Sequence, residues 1–468
     1  MTQNATCVDQ PRDMLPSRFV DWFSARGWVP RRHQLDLLER ALRGRSSLLI
    51  APTGGGKTLG GFLPALVDLT SGTPRPRPLL HTLYISPLKA LAVDVARNVE
   101  IPVREMSLNI RIETRTGDTP SSKRQRQRRL PPDILMTTPE QTSLLLADPR
   151  AGDLFANLKF IVIDEIHSFA HTKRGHLLAL ALSRLTRHAP CHVRLGLSAT
   201  VADPKALARF LVAAPNTADI VLGEPGPRPD LSVLASDSYV PWSGHTARHA
   251  LQDVYTALKQ ASTALVFVNT RSQAEMVFQE LWRLNEDGLA IALHHGSLAV
   301  EQRRKVEAAM AAGKLRAVVC TSTLDLGIDW GAVDLVINVG APKGASRLTQ
   351  RIGRANHRLD EPSRAVLVPA NRFEVLECQA AVDACREGVL DGEPAPPGSL
   401  DVLAQHVLGM ACAAPFDPDE LYQEVVGTFS YSSLSRDDFD RVVDFVATGG
   451  YALRTYDRYK RLRRDATG

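Results

Sequence analysis

The sequence predicts an α/β protein with two parallel-sheet domains in tandem, followed by a smaller helical domain. Short apolar runs recur along most of the chain, and each is followed by small or polar residues and then by a helical pattern. This order is typical of βα units, whose strands are buried on both faces of a parallel sheet. A segment rich in Pro and Gly interrupts the order midway, so the same architecture is predicted twice.

The predicted strands fall into two groups, one on each side of the interruption. In the first half they are SLLIAPT, HTLYISP, DILMTTP, FIVIDE and VRLGLSAT. In the second half they are ALVFVNT, AIALHHGS, AVVCTST, VDLVINVG and RAVLVPA. The interrupting sequence LGEPGPRPDLSVL lacks helical periodicity, and we place the domain linker near residues 216–230.

The last part of the chain has a different pattern. After DGEPAPPGSL at residues 391–400, helical patterns cover Leu400 to about Ala413, Pro418 to Val426, and Ser435 to Ala447. The segment YALRTY that follows predicts a strand. Three helices and a strand favour a winged-helix domain, which we expect to be incomplete here, although a small helical bundle gives nearly the same pattern.

Length and composition agree with a folded protein of several domains. The 468 residues suffice for about three domains, and 44% hydrophobic with 23% charged residues excludes a disordered or fibrous chain. The net charge of +5 suits a polyanionic partner without requiring one. No export signal and no run of about 18 apolar residues is present, which predicts a cytoplasmic protein without membrane association.

The six cysteines are scattered and include no CxxC pair. A zinc site or a disulfide framework needs regular spacing, so we predict that they are small buried side chains. Cys378 and Cys385 share one face of a predicted helix, where core packing is favoured over metal binding.

The strongest chemical signal is the sequence Ala51-Pro-Thr-Gly-Gly-Gly-Lys-Thr58, which follows SLLI and precedes a helical pattern. Backbone N–H groups of such a loop and the next helix N-terminus surround a phosphate, Lys57 adds a positive charge, and the Thr58 hydroxyl is a ligand for Mg²⁺. Ala51 stands where the usual pattern has glycine, and a Gly-rich turn is the alternative interpretation. The residues expected to bind the nucleotide here are Thr53, Gly54, Gly55, Gly56, Lys57 and Thr58.

Two acidic residues, Asp164 and Glu165, end the predicted strand FIVI. An aspartate in this place can hold Mg²⁺ through water, and the adjacent glutamate can orient or deprotonate an attacking water. Paired acids are common in loops, but together with the phosphate loop they predict hydrolysis of a nucleoside triphosphate. The predicted metal ligands are Thr58 and Asp164.

The second half contributes cations in the sequence Gln350-Arg-Ile-Gly-Arg-Ala-Asn-His-Arg358. If the two domains face each other, Arg354 and Arg351 reach the phosphates as arginine fingers. A basic helix exposed to solvent is the alternative interpretation. With the fingers included, the predicted catalytic residues are Lys57, Asp164, Glu165, Arg351 and Arg354.

These motifs and their order resemble those of superfamily 2 DEXH-box helicases of the Lhr-like (large helicase-related) branch, over nearly the whole chain. The further matching motifs are His33-Gln34, Ser86-Pro-Leu-Lys-Ala-Leu91, Thr116-Gly-Asp118, Thr137-Thr-Pro-Glu140, Ser198-Ala-Thr200, Phe267-Val-Asn-Thr-Arg271, His295-Gly-Ser297 and Thr321-Ser-Thr-Leu-Asp-Leu-Gly-Ile-Asp329. The resemblance implies two tandem RecA-like P-loop NTPase domains, ATP and Mg²⁺ as cofactors, and a nucleic-acid partner.

The resemblance also implies roles for individual residues. Gln34 is expected to recognise adenine, and Gly327 and Asp329 are expected to face the nucleotide from the second domain. Coupling between the ATP site and the strand site is expected from Ser198, Thr200 and Gln350. Contacts to the sugar-phosphate backbone, which carry no base information, are expected from Pro87, Lys89, Gly117, Thr138, Thr270, Arg271 and Thr321.

The arginine motif departs from the family pattern at its end. Many relatives finish it with Gly-Arg, whereas this sequence has Asn356 and His357, and Arg358 follows one residue later. Either His357 or Arg358 is therefore expected to act as the second finger. Asn-His in this place, with the sequence after it, resembles the bacterial ligase-associated DEXH helicases, a DNA-repair subgroup.

The resemblance implies an ATP-dependent DNA helicase or translocase that moves 3′-to-5′ on single-stranded DNA or a tailed duplex in DNA repair, with a ligase among its partners. The alternatives are an RNA helicase or RNA-remodelling ATPase, acting on RNA or an RNA:DNA hybrid, and a non-catalytic clamp, which has no use for the predicted catalytic groups. The expected domains are an N-terminal segment at 1–30, an ATP-binding RecA-like domain at 31–220, a second RecA-like domain at 221–392 and a winged-helix-like domain at 393–468.

Overall fold

The computed structural model describes residues 14–71, 79–199, 201–236, 238–325, 333–355, 362–392 and 395–463, except 451, 454, 457 and 459. These residues form two parallel sheets with their helices, and a third group of helices near the end of the chain. Within the described ranges, none of the helices combines the length and the apolar character that crossing a membrane requires.

The first domain contains, among its described residues, a seven-stranded parallel sheet. Its strands are β1 (Ser47–Ile50), β2 (Thr82–Ile85), β3 (Ile112–Thr114), β4 (Ile134–Thr137), β5 (Phe160–Ile163), β6 (Val193–Ser198) and β7 (Asp219–Leu222). Their order across the sheet is β3-β4-β2-β5-β6-β1-β7. The interior strands are buried at every position, because helices cover both faces of the sheet.

Two layers of helices provide this cover. They are α1 (Ser17–Ala25), α2 (Arg32–Leu42), α3 (Lys57–Thr70), α4 (Lys89–Glu105), α5 (Ser121–Arg129), α6 (Pro139–Leu146), α7 (Ala151–Phe155), α8 (Lys173–His188) and α9 (Pro204–Leu211). Helices α1–α4 contribute to one hydrophobic core, whereas α6–α9 contribute to the core on the opposite face.

The second domain repeats this architecture, as predicted, and its parallel sheet has six described strands, one more than the sequence predicts. The strands are β8 (Asp230–Val233), β9 (Ala264–Val268), β10 (Ile291–His294), β11 (Ala317–Cys320), β12 (Leu335–Val339) and β13 (Arg364–Val368), in the order β10-β11-β9-β12-β13-β8. The helices are α10 (Leu251–Gln260), α11 (Arg271–Arg283), α12 (Val300–Ala311), α13 (Ala345–Ile352) and α14 (Arg372–Glu387). Cys320 and Cys378 are buried in a hydrophobic core, as the sequence predicts. The prediction of burial is wrong for Cys191 and Cys412, which are exposed.

The boundary between the sheets is narrower than the predicted linker at 216–230. Strand β7 belongs to the first sheet and β8 to the second, so the connection comprises only residues 223–229. Strands β3, β7 and β8 were not predicted. Each lies on the edge of its sheet or is half-exposed, and therefore lacks the continuous apolar run by which a buried strand is recognised.

The third domain contains α15 (Leu400–Ala413), α16 (Pro418–Val426) and α17 (Arg436–Thr448), close to the predicted bounds. The strand predicted at 451–456 is wrong for the described residues 452, 453, 455 and 456, which form turns or irregular backbone. Gly449 and Gly450, with φ of 79° and 80°, turn the chain directly after α17. Such angles are those of a turn and not of a strand.

The third domain packs on the first domain through a continuous core. Leu403 and Val407 of α15 and Val425 of α16 are buried in the same hydrophobic cluster as Leu178 and Leu182 of α8. At the edge of this contact, Arg184 lies 3.1 Å from the carboxylate of Glu424. Because burial of apolar surface is cooperative within one core, the two domains form one packed unit.

Candidate functional site

The predicted phosphate loop forms the turn between β1 and α3. Gly54 and Gly56 have φ of 77° and 71°, a backbone region that favours glycine. A Cβ on Gly55 would lie only 2.8 Å from the carbonyl oxygen of Pro52. The three glycines thus allow the turn that directs backbone N–H groups and the N-terminus of α3 towards one point, where an anion binds.

Lys57, the first residue of α3, holds its ammonium group over this loop. Its Nζ donates to the carbonyl oxygens of Ala51 at 2.9 Å and Pro52 at 3.0 Å. Burial lowers the pKa of Lys57, and the nearby carboxylates of Glu165 and Asp164 oppose this effect. The loop, the lysine and the two acids therefore form one electrostatic cluster.

Helix α2 fixes the loop from behind. Gln34 donates from Nε2 to the carbonyl oxygen of Gly56 at 3.0 Å and accepts from the backbone N–H of Arg31 at 3.0 Å. His33 makes a 2.8 Å hydrogen bond with the carbonyl oxygen of Gly55. Gln34 thus lies at the nucleotide site, where its contact with adenine stays a prediction, and His33 joins it as a supporting residue to which sequence reasoning gave no role.

Asp164 and Glu165 lie at the carboxyl end of β5, beside β2. Asp164 accepts hydrogen bonds from the Tyr84 hydroxyl at 2.6 Å and from the backbone N–H of Glu165 at 2.9 Å. Glu165 adopts a left-handed backbone with φ of 47°, which is uncommon for a residue other than glycine. Tyr84 appeared in the sequence only as part of an apolar run, so its contact with Asp164 was missed.

The environments of the two carboxyl groups push their pKa values apart. Burial, reinforced by the charge of Glu165, raises the pKa of Asp164. Burial also acts to raise the pKa of Glu165, but electrostatic interactions with His167, Lys57 and Arg354 outweigh burial and lower that pKa. Glu165 is therefore the group held as a carboxylate, which is the form that accepts a proton.

His167 connects this acidic turn to the end of β6. Its Nδ1 is hydrogen-bonded to the Ser198 hydroxyl at 2.9 Å, and its Nε2 lies 3.5 Å from a carboxylate oxygen of Glu165. Burial lowers the pKa of His167. Ser198 is thus connected to Glu165 through one histidine, and its coupling role stays a prediction.

Replacing Ser198 with alanine is expected to reduce stimulation of ATP hydrolysis by polynucleotide, while basal hydrolysis changes by less than about tenfold, because only the link through His167 is lost. Steady-state phosphate release with and without polynucleotide measures both quantities. Ser168→Ala is the matched control, since the buried Ser168 hydroxyl has no hydrogen-bond partner among the described residues. Equal effects of the two substitutions would contradict the coupling role.

Arg354 reaches this cluster from the second domain. Only 3% of the residue is exposed, and its charge acts on the pKa values of both Lys57 and Glu165. The preceding residue, Gly353, lies against the phosphate loop, since a Cβ there would be 2.8 Å from Oγ1 of Thr53. The two domains therefore meet with the end of α13 at the phosphate loop, as an arginine finger requires.

The structure does not bring Arg351 to the same place. Its guanidinium donates to Asp325 at 3.0 Å and to the side-chain oxygen of Asn338 at 2.8 Å, and it lies 4.8 Å from the ring centroid of Phe267. These partners all belong to the second domain, and Arg351 is 2% exposed. The prediction of Arg351 as a finger is thus corrected: this guanidinium is engaged in the interior of its own domain.

Arg351→Ala is expected to destabilise the second domain by about 3–5 kcal/mol, because the buried Asp325 loses its 3.0 Å ion pair and Asn338 loses its hydrogen-bond donor. Arg347→Ala is the control on the same helix: this side chain is 42% exposed, lies 3.8 Å from Asp325, and should cost about 1 kcal/mol or less. Denaturant unfolding followed by circular dichroism gives both values. A loss for Arg351→Ala no larger than that of its control would contradict the structural role.

The residues expected to hold a nucleic-acid backbone follow strands whose carboxyl ends share one edge of their sheet. Pro87 and Lys89 follow β2, Gly117 follows β3, Thr138 follows β4, Thr270 and Arg271 follow β9, and Thr321 follows β11. Lys89 and Gly117 are neighbours, since a Cβ on Gly117 would lie 3.0 Å from the lysine Nζ. Ligands of parallel sheets bind at this edge.

Several of these positions already have structural partners. The carbonyl oxygen of Pro87 accepts from Arg174 at 2.6 Å, and Arg174 also pairs with Glu140 at 2.5 Å. Thr270 caps α11 by accepting from the backbone N–H of Gln273 at 3.2 Å. Arg174 was not singled out in the sequence, because it belongs to no recognised motif.

Six residues singled out in the sequence analysis lie outside the described part of the chain, namely Thr200, Gly327, Asp329, Asn356, His357 and Arg358. Gln350 lies on α13, where its carbonyl oxygen accepts from Arg354 Nε at 3.4 Å. Its coupling role and the identity of a second finger stay predictions.

Comparisons with known proteins identify the same segments. The DEAD/DEAH box helicase family matches residues 31–207, the helicase conserved C-terminal domain matches 247–358, and the winged-helix domain of large helicase-related proteins matches 383–468. The last match supports the winged-helix interpretation over an unrelated helical bundle.

Two relatives and one solved structure show how far the similarity extends. The ATP-dependent helicase Lhr-Core of Methanocaldococcus jannaschii is 34% identical over 93% of this chain and 53% of its own length. The Lhr helicase/uracil glycosylase of Escherichia coli is 33% identical over 96% of this chain and 33% of its own length. The structure of Mycobacterium smegmatis helicase Lhr bound to ssDNA and AMP-PNP superposes with a TM-score of 0.85, at 35% identity, over 93% of this chain and 58% of that one.

The chain thus spans about half the length of the archaeal relative and a third of that from E. coli. The similarity nevertheless includes both sheets, the cleft between them and the helices that follow. With its helicase domains, its Lhr-type winged helix and its Lhr relatives, the chain belongs to the Lhr (large helicase-related) family of helicases.

Proposed function

We propose that this chain is an ATP-dependent DNA helicase or translocase that hydrolyses ATP between its two RecA-like domains and thereby moves along single-stranded DNA. The observation that carries the proposal is that Gly353 lies against Thr53 of the phosphate loop, so that the buried Arg354 of the second domain joins the cluster of Lys57 and Glu165 in the first. A protein that only clamps nucleic acid has no need for all three groups in one buried cluster.

The chemistry follows from these groups. The phosphates of ATP bind the loop N–H groups, and Lys57 exchanges its loop carbonyl partners for phosphate oxygens. Glu165, held as a carboxylate, orients or deprotonates the attacking water, and Arg354 stabilises the charge that develops on the transferred phosphoryl group. Because Arg354 comes from the other domain, hydrolysis requires a closed cleft, and product release permits it to open.

Thr58 and Asp164 are the residues that would hold Mg²⁺. No group of three or more His, Cys, Asp or Glu in the described part of the chain is arranged to hold a metal ion. The hydroxyl of Thr58 and the carboxylate of Asp164 fit Mg²⁺, because this ion is usually bound by one or two carboxylates together with waters and substrate phosphates. When bound, the ion supplies positive charge that neutralises the phosphate oxygens.

The strand is proposed to lie across the carboxyl ends of β2, β3, β4, β9 and β11, held by its phosphates. DNA is favoured because the M. smegmatis relative, similar over 93% of this chain, is described as bound to ssDNA. Movement in the 3′-to-5′ direction and a role in DNA repair with a ligase as partner are proposals that rest on the family resemblance. The cytoplasmic location stays a prediction from the sequence.

The proposal is tested by phosphate release with no polynucleotide, with single-stranded DNA and with single-stranded RNA, each beside Lys57→Ala. Stimulation by DNA that Lys57→Ala abolishes is the expected result. Preferential stimulation by RNA would favour an RNA-remodelling ATPase, and no release in any mixture would overturn the catalytic proposal. Duplexes with either a 3′ or a 5′ tail then determine direction.

A further inference from the structure

The segment that joins the second domain to the third, residues 391–399, contacts all three domains; residues 393 and 394 lie outside the described ranges. We call it the strap. At its start, Asp391 accepts hydrogen bonds from the backbone N–H groups of Ala345 at 3.2 Å and Ser346 at 3.0 Å. The Ser346 hydroxyl also donates to the carbonyl oxygen of Asp391 at 3.3 Å. Asp391 thus caps the N-terminus of α13 from a position 46 residues along the chain.

Helix α13 has no local side chain for this purpose. The residue before it, Gly344, has φ of 97°, and a Cβ there would lie 2.2 Å from an Asp391 carboxylate oxygen. Glycine at 344 therefore gives the distant carboxylate access to the first N–H groups of the helix. A negative charge at this end also interacts favourably with the helix dipole.

This helix carries the arginine finger. It has eight residues, and Arg354 follows its end by two positions. In the last turn of α13, the side chain of Arg351 anchors the helix to its own domain through Asp325. In the first turn, the side chain of Asp391 accepts hydrogen bonds from the backbone N–H groups of the helix. Leu348 and Ile352 pack this helix into the core of its own domain, whereas the first N–H groups of the helix are held by the carboxylate of Asp391. We propose that Asp391 is a positioning residue for Arg354.

The rest of the strap is fixed to the first and third domains. A Cβ on Gly392 would lie 2.8 Å from the Cβ of Ala202, in the segment that follows Ser198. The backbone N–H of Ser399 donates to Nδ1 of His176 at 3.1 Å, and the Tyr431 hydroxyl donates to the carbonyl oxygen of Ser399 at 2.9 Å. Asp391 therefore caps α13 of the second domain from a segment that is also attached to the first and third domains, across the cleft. The cap thereby links the position of Arg354 to closure of the two RecA-like domains.

The test, which rests on the proposed function, compares Asp391→Ala with Asp391→Asn and wild type. Loss of the cap is expected to lower kcat for polynucleotide-stimulated ATP hydrolysis about tenfold. A tenfold change corresponds to a free energy within the range that is usual for loss of a helix N-cap. KM for ATP should change less than about twofold, because an arginine finger acts in the transition state. Asparagine keeps an acceptor oxygen and should restore most of kcat.

The matched control is Asp417→Ala, which removes an aspartate cap from α16, where Asp417 accepts from the backbone N–H groups of Asp419 at 2.7 Å and Glu420 at 3.1 Å. This variant should retain wild-type kcat. In an Arg354→Ala background, Asp391→Ala should have no further effect on kcat. A full tenfold effect in that background, or a loss in the Asp417 control equal to that of Asp391→Ala, would overturn the proposal.

Hydrogen–deuterium exchange separates this proposal from the proposed function. Asp391→Ala should speed exchange in peptides covering 345–354, and Asp417→Ala should leave those peptides unchanged. Unchanged exchange in Asp391→Ala would overturn the cap whatever the enzymatic result. Faster exchange in a protein whose wild type releases no phosphate would uphold the cap and contradict the proposed function alone.

Discussion

Arg354→Ala is expected to lower kcat for ATP hydrolysis by about 10³- to 10⁵-fold, the range that arginine fingers contribute in phosphoryl transfer. The guanidinium is buried in the cleft and acts electrostatically on both Lys57 and Glu165. Its charge is therefore placed where negative charge grows during transfer. ATP binding should be affected much less, because the loop and Lys57 lie in the other domain. Single-turnover hydrolysis and equilibrium binding of a fluorescent ATP analogue measure the two effects.

Arg347→Ala is the control for loss of a positive charge from the same helix. This arginine is 42% exposed and pairs with Asp325 at 3.8 Å, so its removal should leave kcat within about twofold of wild type, as is usual for an exposed pair. Equal kcat values for the two variants would mean that the domains do not close on Arg354 during hydrolysis.

The second large effect is expected from Glu165→Gln, with hydrolysis slowed by about 10²- to 10⁴-fold, the contribution of a positioned general base. Glutamine preserves the volume of the side chain but cannot accept a proton from water. Because Asp164 and the phosphate loop are unchanged, the variant should still bind ATP and should accumulate in an ATP-bound, DNA-bound state. Binding to labelled single-stranded DNA with ATP present measures this state.

Lys57→Ala is the comparison for Glu165→Gln. It removes the ammonium group that Ala51 and Pro52 hold over the loop, so nucleotide binding should weaken together with hydrolysis. If Glu165→Gln also lost its affinity for ATP, Glu165 would be a binding residue and the assignment as base would be wrong.

The fold was predictable where physical constraints are strong. Buried parallel strands need continuous apolar runs, and ten strands were found that way, from SLLI to RAVLV. The half-exposed strands β3, β7 and β8 carry mixed residues and were missed. The three helices of the last domain were predicted to within about two residues, because their periodicity is undisturbed.

The site shows a similar division. Lys57, Glu165 and Arg354 belong to motifs that are recognised by their residue types and by their positions after predicted strands. The structure brings these three residues together. Arg351 and Arg354 differ by three positions and looked alike as fingers, yet one points into its own domain. Only tertiary structure decides between them. Tyr84 and Asp391 were missed because a buried tyrosine in a strand and an aspartate in a Pro-rich segment have no distinctive pattern.

The shared core of the first and third domains has a mechanical consequence. Because α15 and α16 pack into the same interior as α8, we expect the first and third domains to move as one body and the second domain as the other. The chain passes from one body to the other at residues 223–229 and again after α14. We therefore expect opening and closing of the cleft to change the backbone mainly at these two connections, one of which contains the aspartate that caps the arginine-finger helix.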